Sequence, residues 1–348
     1  MAAKDDWLIR RAMGIGGSDV PCILGKSRFK GPHDIWMSKK PVIDKLGLEW
    51  PPKQQVKRVF TRGHEMEPLI ADYFAKKSGF AVHESFVDMY QSPEVPYLQA
   101  SLDREVWSGD EFLGIHEIKS VGWHSRWQGV LPEHVWLQVQ HYLFVRKDAP
   151  RAYVSAIIAQ TEEVFDAITS GAMSLSDAVT VGLCIYEEHI VQRCPSYEAD
   201  VVPELENFWE LVVNGTPPEA DGTEGCEQAL MHNSGGFDSN KEATMTDDMR
   251  VSMCEYKRHK DLEKHHKAEA AVEKTKIMQM LGDCGFARSD FGRVKLSVTE
   301  KSRFSQRAWE ESRPEQYAEV TQSFTRTVRE RPRLTITIKE VEGDTDEP

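Results

Sequence analysis

No Cys-x-x-Cys pair occurs in this chain of 348 residues; its six cysteines, Cys22, Cys184, Cys194, Cys226, Cys254 and Cys284, are scattered. That spacing speaks against zinc ribbons and iron–sulfur clusters, and reduced, mostly buried thiols are expected. No apolar run approaches the roughly 20 residues of a membrane span. The start, Met-Ala-Ala-Lys-Asp-Asp, lacks the apolar segment of a signal peptide, so a cytoplasmic location is expected. No internal repeat is evident. An excess of basic charge is missing too: 43 Lys and Arg stand against 56 Asp and Glu, a net charge of −13. Phosphate contacts dominate nucleic-acid affinity, so this balance excludes a uniformly basic binder. The distribution is uneven, however. Residues 1–62 carry 13 Lys/Arg against 6 Asp/Glu, whereas residues 151–348 carry 23 against 37. A local basic surface can track a nucleic-acid backbone while the remainder repels it, although ordinary surface variation gives similar counts.

What is present describes a globular protein, 40% hydrophobic and 28% charged, long enough for one well-filled domain plus an appendage. Within it, Gly114-Ile-His-Glu-Ile-Lys119 reads as a short strand. Side chains two apart on a strand share a face, so Glu117 and Lys119 project together. Asp103 lies fourteen residues upstream of Glu117, at the end of another short apolar run, giving the pattern Asp…Glu-x-Lys. Hydrolysis of a phosphodiester needs hard oxygen ligands for Mg²⁺ and benefits from an adjacent ammonium that stabilises developing negative charge. Asp103, Glu117 and Lys119 supply those groups. The same residues would also serve as a plain solvated ion pair at a strand end.

The periodicities suggest an α/β protein with a mixed sheet flanked by helices. An Arg-rich helical turn leads into Gly14-Ile-Gly-Gly-Ser18, which reads either as a tight turn or as a loop opening a helix, with its amides forming an anion site. After a linker at Trp50-Pro-Pro52, a long helix from Val56 to Lys77 carries Glu67, and Gly79 ends it. Strands are expected near Ala81–Tyr90, Tyr97–Ser101, Arg104–Trp107 and Phe112–Lys119. A helix over Glu133–Val145 follows, then a buried strand at Arg151–Ala159, an insertion at 161–180, a strand at Leu183–Val191 and a helix at Ala199–Val213. Trp123, Trp127 and Trp136, beside His124 and Arg126, suit either base stacking or the core, with the core favoured for Trp136. The organisation expected is a catalytic domain over 1–220, a flexible linker over 221–244, a helical arm plus hairpin over 245–339 and an acidic tail over 340–348.

Taken in order, Gly14-Ile-Gly-Gly-Ser-Asp19, Arg62-Gly-His-Glu-Met-Glu67-Pro68, Ser101-Leu-Asp103, Glu117-Ile-Lys119 and Leu137-Gln-Val-Gln-His-Tyr-Leu143 resemble the YqaJ-type viral recombinases. These belong with phage lambda exonuclease in the PD-(D/E)XK nuclease superfamily. Leu102 replaces the superfamily's proline before the aspartate. The resemblance covers roughly residues 8–215 and implies a PD-(D/E)XK restriction-endonuclease-like core, here with a C-terminal helical and hairpin extension. It implies that Glu67, Asp103, Glu117 and the Ile118 backbone carbonyl hold Mg²⁺ or Mn²⁺, two ions in all. Lys119 becomes the catalytic lysine, with Gln138 near the active site. Arg11, seven residues before Ser18, and Ser101, two before Asp103, match residues that grip a terminal 5′-phosphate. His141 fits a structural or a functional role.

The activity implied is 5′-to-3′ exonuclease action on linear double-stranded DNA ends, releasing mononucleotides and leaving 3′ overhangs. The resemblance further implies a homotrimer and a single-strand annealing protein as partner. Two alternatives stay open: an endonuclease or bidirectional nuclease on the same fold, and a catalytically silent scaffold that binds DNA ends.

Overall fold

The structure, a computed structural model, describes residues 2–27, 29–47, 58–122, 127, 129–233, 241–288, 293–296 and 306–324. The chain divides into two compact units, Met1–Gly236 and Phe237–Pro348. Among the described residues no helix is long and apolar enough to cross a membrane.

The first unit opens with α1 (Ala2–Ala12), β1 (Ile15–Gly16), α2 (Val20–Ile23), α3 (Pro32–Met37), α4 (Lys40–Leu46) and α5 (Arg58–Ser78). Strands β2 (Ala81–Glu84), β3 (Tyr90–Gln91), β4 (Leu98–Ala100), β5 (Arg104–Ser108) and β6 (Glu111–Gly122) follow. Then come α6 (Glu133–Val145), β7 (Arg151–Ala159), α7 (Glu162–Thr169), α8 (Leu175–Thr180), β8 (Cys184–Gln192), α9 (Val202–Asn214) and α10 (Glu224–Asn233). Five strands form one sheet in the order β2-β5-β6-β7-β8. Only β6 and β7 run parallel in it, as the α6 crossover between them requires. A smaller sheet has the order β1-β4-β3, with β1 parallel to β4. The α/β class with a mixed sheet flanked by helices is as expected.

Alternation along β6 decides what each face carries. Ile118 joins Met66, Ile70 and Ala71 of α5 in one core, with Ile157 and Ala159 of β7 and Phe165, Ile168, Leu175 and Ala178 of α7 and α8. Ile115 joins the opposite core with Val135, Leu137, Val139 and Leu143 of α6 and Val154, Ala156 and Ile158 of β7. Burying Met66 and Ile70 completely contributes about 1.5–3 kcal/mol each and holds α5, and therefore Glu67, against the sheet. Pro68 lies inside α5 and lacks the N–H that would bond the His64 carbonyl.

Several expectations need correction. The stretch Ala81–Tyr90 is two strands in two sheets, because the chain leaves β2 at Ser85 and re-enters pairing only at Tyr90. Strand β6 continues past Lys119 to Gly122, since its parallel pairing with β7 runs on through Ser120, Val121 and Gly122. In the glycine-rich loop the Ile15 and Gly16 amides are taken up within the protein, the first by the Tyr97 carbonyl at 2.7 Å. Ile15 and Gly16 pair with β4, and the Gly16 N–H donates to Asp19 Oδ2 at 3.0 Å. Part of the expected linker is helical: α10 packs on α3 and buries Cys226 and Ala229. Residues 234–240, Trp50-Pro-Pro52, Trp123, His124, Arg126 and the acidic tail lie outside the described residues. Cys22, Cys184 and Cys226 are buried, Cys194 is half-buried, and Cys254 and Cys284 are exposed.

The second unit contains α11 (Asp247–Leu281), a hairpin of β9 (Phe286–Arg288) and β10 (Arg293–Lys295), then α12 (Gln306–Ser312) and α13 (Pro314–Phe324). Thr246 caps α11 by accepting the Met249 N–H at 3.2 Å.

Candidate active site

A cleft of about 550 Å³ opens where α1, α5, β5, β6 and α6 meet. Its lining includes Glu67, Asp103, Glu117, Ile118, Lys119 and Gln138, and also Arg11, Ser18 and Ser101. Every side chain implied by the sequence resemblance therefore borders one space, though the residues come from six separate segments.

Glu117 is 3% exposed and Lys119 27%. The Lys119 ammonium donates to Glu117 Oε1 and, at 3.1 Å, to Gln138 Oε1. The amide of Gln138 donates to Glu117 Oε1 at 2.8 Å and to the Tyr142 hydroxyl at 2.8 Å. Tyr142 was not foreseen; it stands four residues after Gln138, one helical turn along the same face of α6. A Cβ on Gly17 would run into the Tyr142 ring, so that glycine is needed for close approach. Asp103 Oδ2 accepts the Ile118 N–H at 2.8 Å. Glu67 Oε1 accepts from Arg104 Nη1, which also donates to the Asp103 carbonyl at 2.6 Å.

Burial pushes the Glu117 carboxyl up, reinforced by the charge of Asp103 and opposed by Lys119. Asp103 is raised by burial against the pull of Lys119 and the Ile118 amide, and Glu67 by burial and then Asp103. Lys119 behaves oppositely. Burial disfavours its charge, but Glu117 and Asp103 outweigh that and raise it, so it is an ammonium at neutral pH. Glu67, Asp103 and Glu117 thus lie beside Lys119 and Arg104, and all three carboxyls resist ionisation.

Hard oxygen donors of this kind suit Mg²⁺ or Mn²⁺, and a divalent cation would relieve the raised proton affinities. Among the described residues no three His, Cys, Asp or Glu side chains are gathered into a ready ligand set. The reason is visible in the bonds: Glu67 faces Arg104, Glu117 faces Lys119 and Gln138, and Asp103 faces a backbone amide.

At the other end of the cleft, Arg11 donates to Ser18 Oγ at 2.7 Å, and Trp7 lies under the Arg11 guanidinium at 5.5 Å. Ser101 Oγ donates to the Asp88 carbonyl at 2.6 Å. Beneath them, buried Lys39 bonds Asp19 Oδ2 and the Gly14 carbonyl, both at 2.7 Å. Burial opposes ionisation of Asp19, yet Lys39 and Arg11 bring it down to about 2. This internal ion pair secures the turn carrying Ser18, and nothing in the local sequence signals it. His141 lies outside the cleft. Fully buried, it meets the Gln99 carbonyl at 2.9 Å through Nε2 and the Tyr197 hydroxyl at 3.0 Å through Nδ1. Burial pulls it down to about 4, so it is a neutral structural histidine. Trp127 is buried near His189, and Trp136 packs against the main core.

Residues 6–149 match the family model of the YqaJ-like viral recombinase domain. The protein YqaJ of Bacillus subtilis (strain 168) is 26% identical over 259 residues, 73% of this chain and 70% of that protein. Among solved structures, the alkaline exonuclease LHK-Exo from Laribacter hongkongensis overlays with a TM-score of 0.41 at 16% identity, covering 60% of this chain and 91% of that one. A phage-related exonuclease from Haemophilus somnus 129PT gives 0.34 at 12% identity, covering 63% and 96%. The span 6–149, which matches the YqaJ-like viral recombinase domain model, contains every cleft residue named above.

Proposed function

We infer that the chain is a metal-dependent exodeoxyribonuclease that degrades one strand of linear duplex DNA from its 5′ end. It releases mononucleotides and leaves a 3′ overhang for recombination by strand annealing. The observation that carries this reading is the single cleft lined both by Glu67, Asp103, Glu117 and Lys119 and by the Arg11–Ser18 pair. The match of residues 6–149 to the YqaJ-like viral recombinase domain supports it.

In this reading Glu67, Asp103, Glu117 and the Ile118 carbonyl would hold Mg²⁺ or Mn²⁺, two ions, which would supply Lewis acidity and lower the pKa of an attacking water. The Lys119 ammonium, steered by Gln138, stabilises charge developing on the phosphoryl group. Gln138 in turn is fixed by Tyr142. Arg11 and Ser18 take the terminal 5′-phosphate, and Ser101 joins them by exchanging its bond to the Asp88 carbonyl for one to phosphate. Charge-assisted contacts of this kind are strong and directional, which sets the polarity of digestion.

Arg11→Ala is expected to lower the ratio of cleavage rates on 5′-phosphorylated and 5′-hydroxyl duplex ends by roughly tenfold, the effect of losing one charge-assisted contact. Parallel digestion of the two substrates by both proteins reads the ratio. Equal ratios would remove the phosphate pocket from the account, even if overall activity fell.

The second unit carries 21 Lys/Arg against 22 Asp/Glu and holds no proposed catalytic group. Its role in this reading is to dock a partner, either a single-strand annealing protein or further copies in a homotrimer. A chain ending at Gly236 is expected to keep cleavage of short duplexes but to lose one of these associations. Light scattering and pull-down with the annealing protein check this; two unchanged results would leave that unit a mere appendage.

A further inference from the structure

The ion pair between Arg104 and Glu67 is not explained by the family resemblance, and its place is unusual. Arg104 directly follows Asp103 at the start of β5, while Glu67 comes from α5 on one face of the sheet. The arginine side chain is 13% exposed and the glutamate 24%. One nitrogen, Nη1, serves both Glu67 Oε1 and the Asp103 carbonyl. The guanidinium thus touches one proposed ligand and the backbone of another, inside the cleft.

Arg104 and Lys119 are the two cations that hold carboxylates in this cleft, and they differ in one respect. If Glu117 turned away, Lys119 would keep Gln138 as an acceptor. If Glu67 turned away, Arg104 would keep only the Asp103 carbonyl, and a guanidinium carries five N–H donors. Nearly enclosed, with donors to spare and with Glu84 of β2 opposite it in the ladder, it could then take a further anion. The phosphate backbone entering the same cleft provides one, with the planar fork geometry that arginine matches best.

We propose that Arg104 is an exchange residue: it holds Glu67 while no divalent cation does, and it transfers to a DNA phosphate once Glu67 ligates the metal. This rests on the reading of the cleft as a metal-dependent nuclease site and adds a residue to it. The consequence is a pair of opposed effects. Arg104 competes with metal for Glu67 and repels it as a like charge, so it weakens metal binding by the free protein. It strengthens DNA binding only when metal is present. Metal and DNA are thereby coupled through one side chain, each favouring the other's binding.

The test uses full-length wild type, Arg104→Gln and Arg104→Lys. Mn²⁺ affinity is measured by calorimetry without DNA. Affinity for a 5′-phosphorylated duplex is measured by fluorescence anisotropy with and without Mn²⁺, in a Lys119→Ala background to spare the substrate. Arg104→Gln is expected to bind Mn²⁺ roughly tenfold tighter, the low end of what one neighbouring charge does to a partly buried carboxylate. It is expected to bind DNA about tenfold more weakly in Mn²⁺ and equally well without it. Arg104→Lys keeps the charge but not the fork, so it should fall between. Unchanged Mn²⁺ affinity, or a loss of DNA affinity that is the same with and without Mn²⁺, would overturn the exchange. Should Arg104→Gln fail to fold by circular dichroism, Arg104→Lys decides: Mn²⁺ binding several-fold tighter supports the proposal, and unchanged binding rejects it. A wild type that binds no Mn²⁺ would instead reject the metal-dependent reading itself, which is a different result.

Discussion

Lys119→Ala is expected to lower single-turnover cleavage of duplex DNA by about 100-fold or more, the scale of losing one preorganised donor to transition-state charge, with DNA affinity and folding close to wild type. The fold should tolerate the change for an electrostatic reason. Glu117 would lose its bonded ammonium but keep the Gln138 amide at 2.8 Å. Its carboxyl is already raised by burial and by Asp103, so it can take up a proton instead of standing as an unpaired buried charge. The remaining groups still hold DNA, because Arg11, Ser18 and Arg104 are untouched. Rapid-quench kinetics, filter binding and a thermal melt separate these effects. Cleavage within tenfold of wild type would remove Lys119 from the chemistry.

Asp103→Ala and Glu117→Ala should each abolish both turnover and the heat stabilisation that Mg²⁺ or Mn²⁺ confers. A ligand at a hundred times its Kd stabilises the folded state by about 2.7 kcal/mol. For a unit of this size each kcal/mol raises Tm by roughly 2–4 °C, so the wild-type shift is easily read. Either variant removes one of the three proposed ligand carboxylates, and the two remaining are already tied to Arg104, to Lys119 or to a backbone amide. Thermal melts with and without metal provide the measurement. A full metal-induced shift in either variant would mean that the ion binds elsewhere.

Much of this arrangement could be read in advance where short-range periodicity carries it. Helix α6 and strand β7 occupy the residues expected, because Val135, Val139 and Leu143 recur at helical spacing and Arg151–Ala159 is an apolar run buried along the sheet centre. The Glu117–Lys119 face followed from strand alternation alone. Helices α3 and α4 were overlooked, although Pro32 and Pro41 stand in their first turns, where proline favours a helix start. The break between β2 and β3 has no glycine or proline to mark it.

Other features depend on contacts that local spacing does not encode. Lys39 meets Asp19 across two intervening helical segments, and Arg104 meets Glu67 only because α5 crosses the sheet at one particular height. The five ordered motifs located the Arg11–Ser18 end through family resemblance. The bond between those residues depends on α1 folding back over the turn that Asp19 and Lys39 secure.

The most direct measurement is digestion by the wild-type protein, in Mg²⁺, of 5′-phosphorylated linear duplex and covalently closed circular DNA of the same sequence, with chelated controls. The expected result is mononucleotides and 3′ overhangs from the linear substrate, an intact circle, and no cleavage of either without the metal. Nicking of the circle at a comparable rate, or no metal-dependent cleavage of linear DNA, would contradict the account.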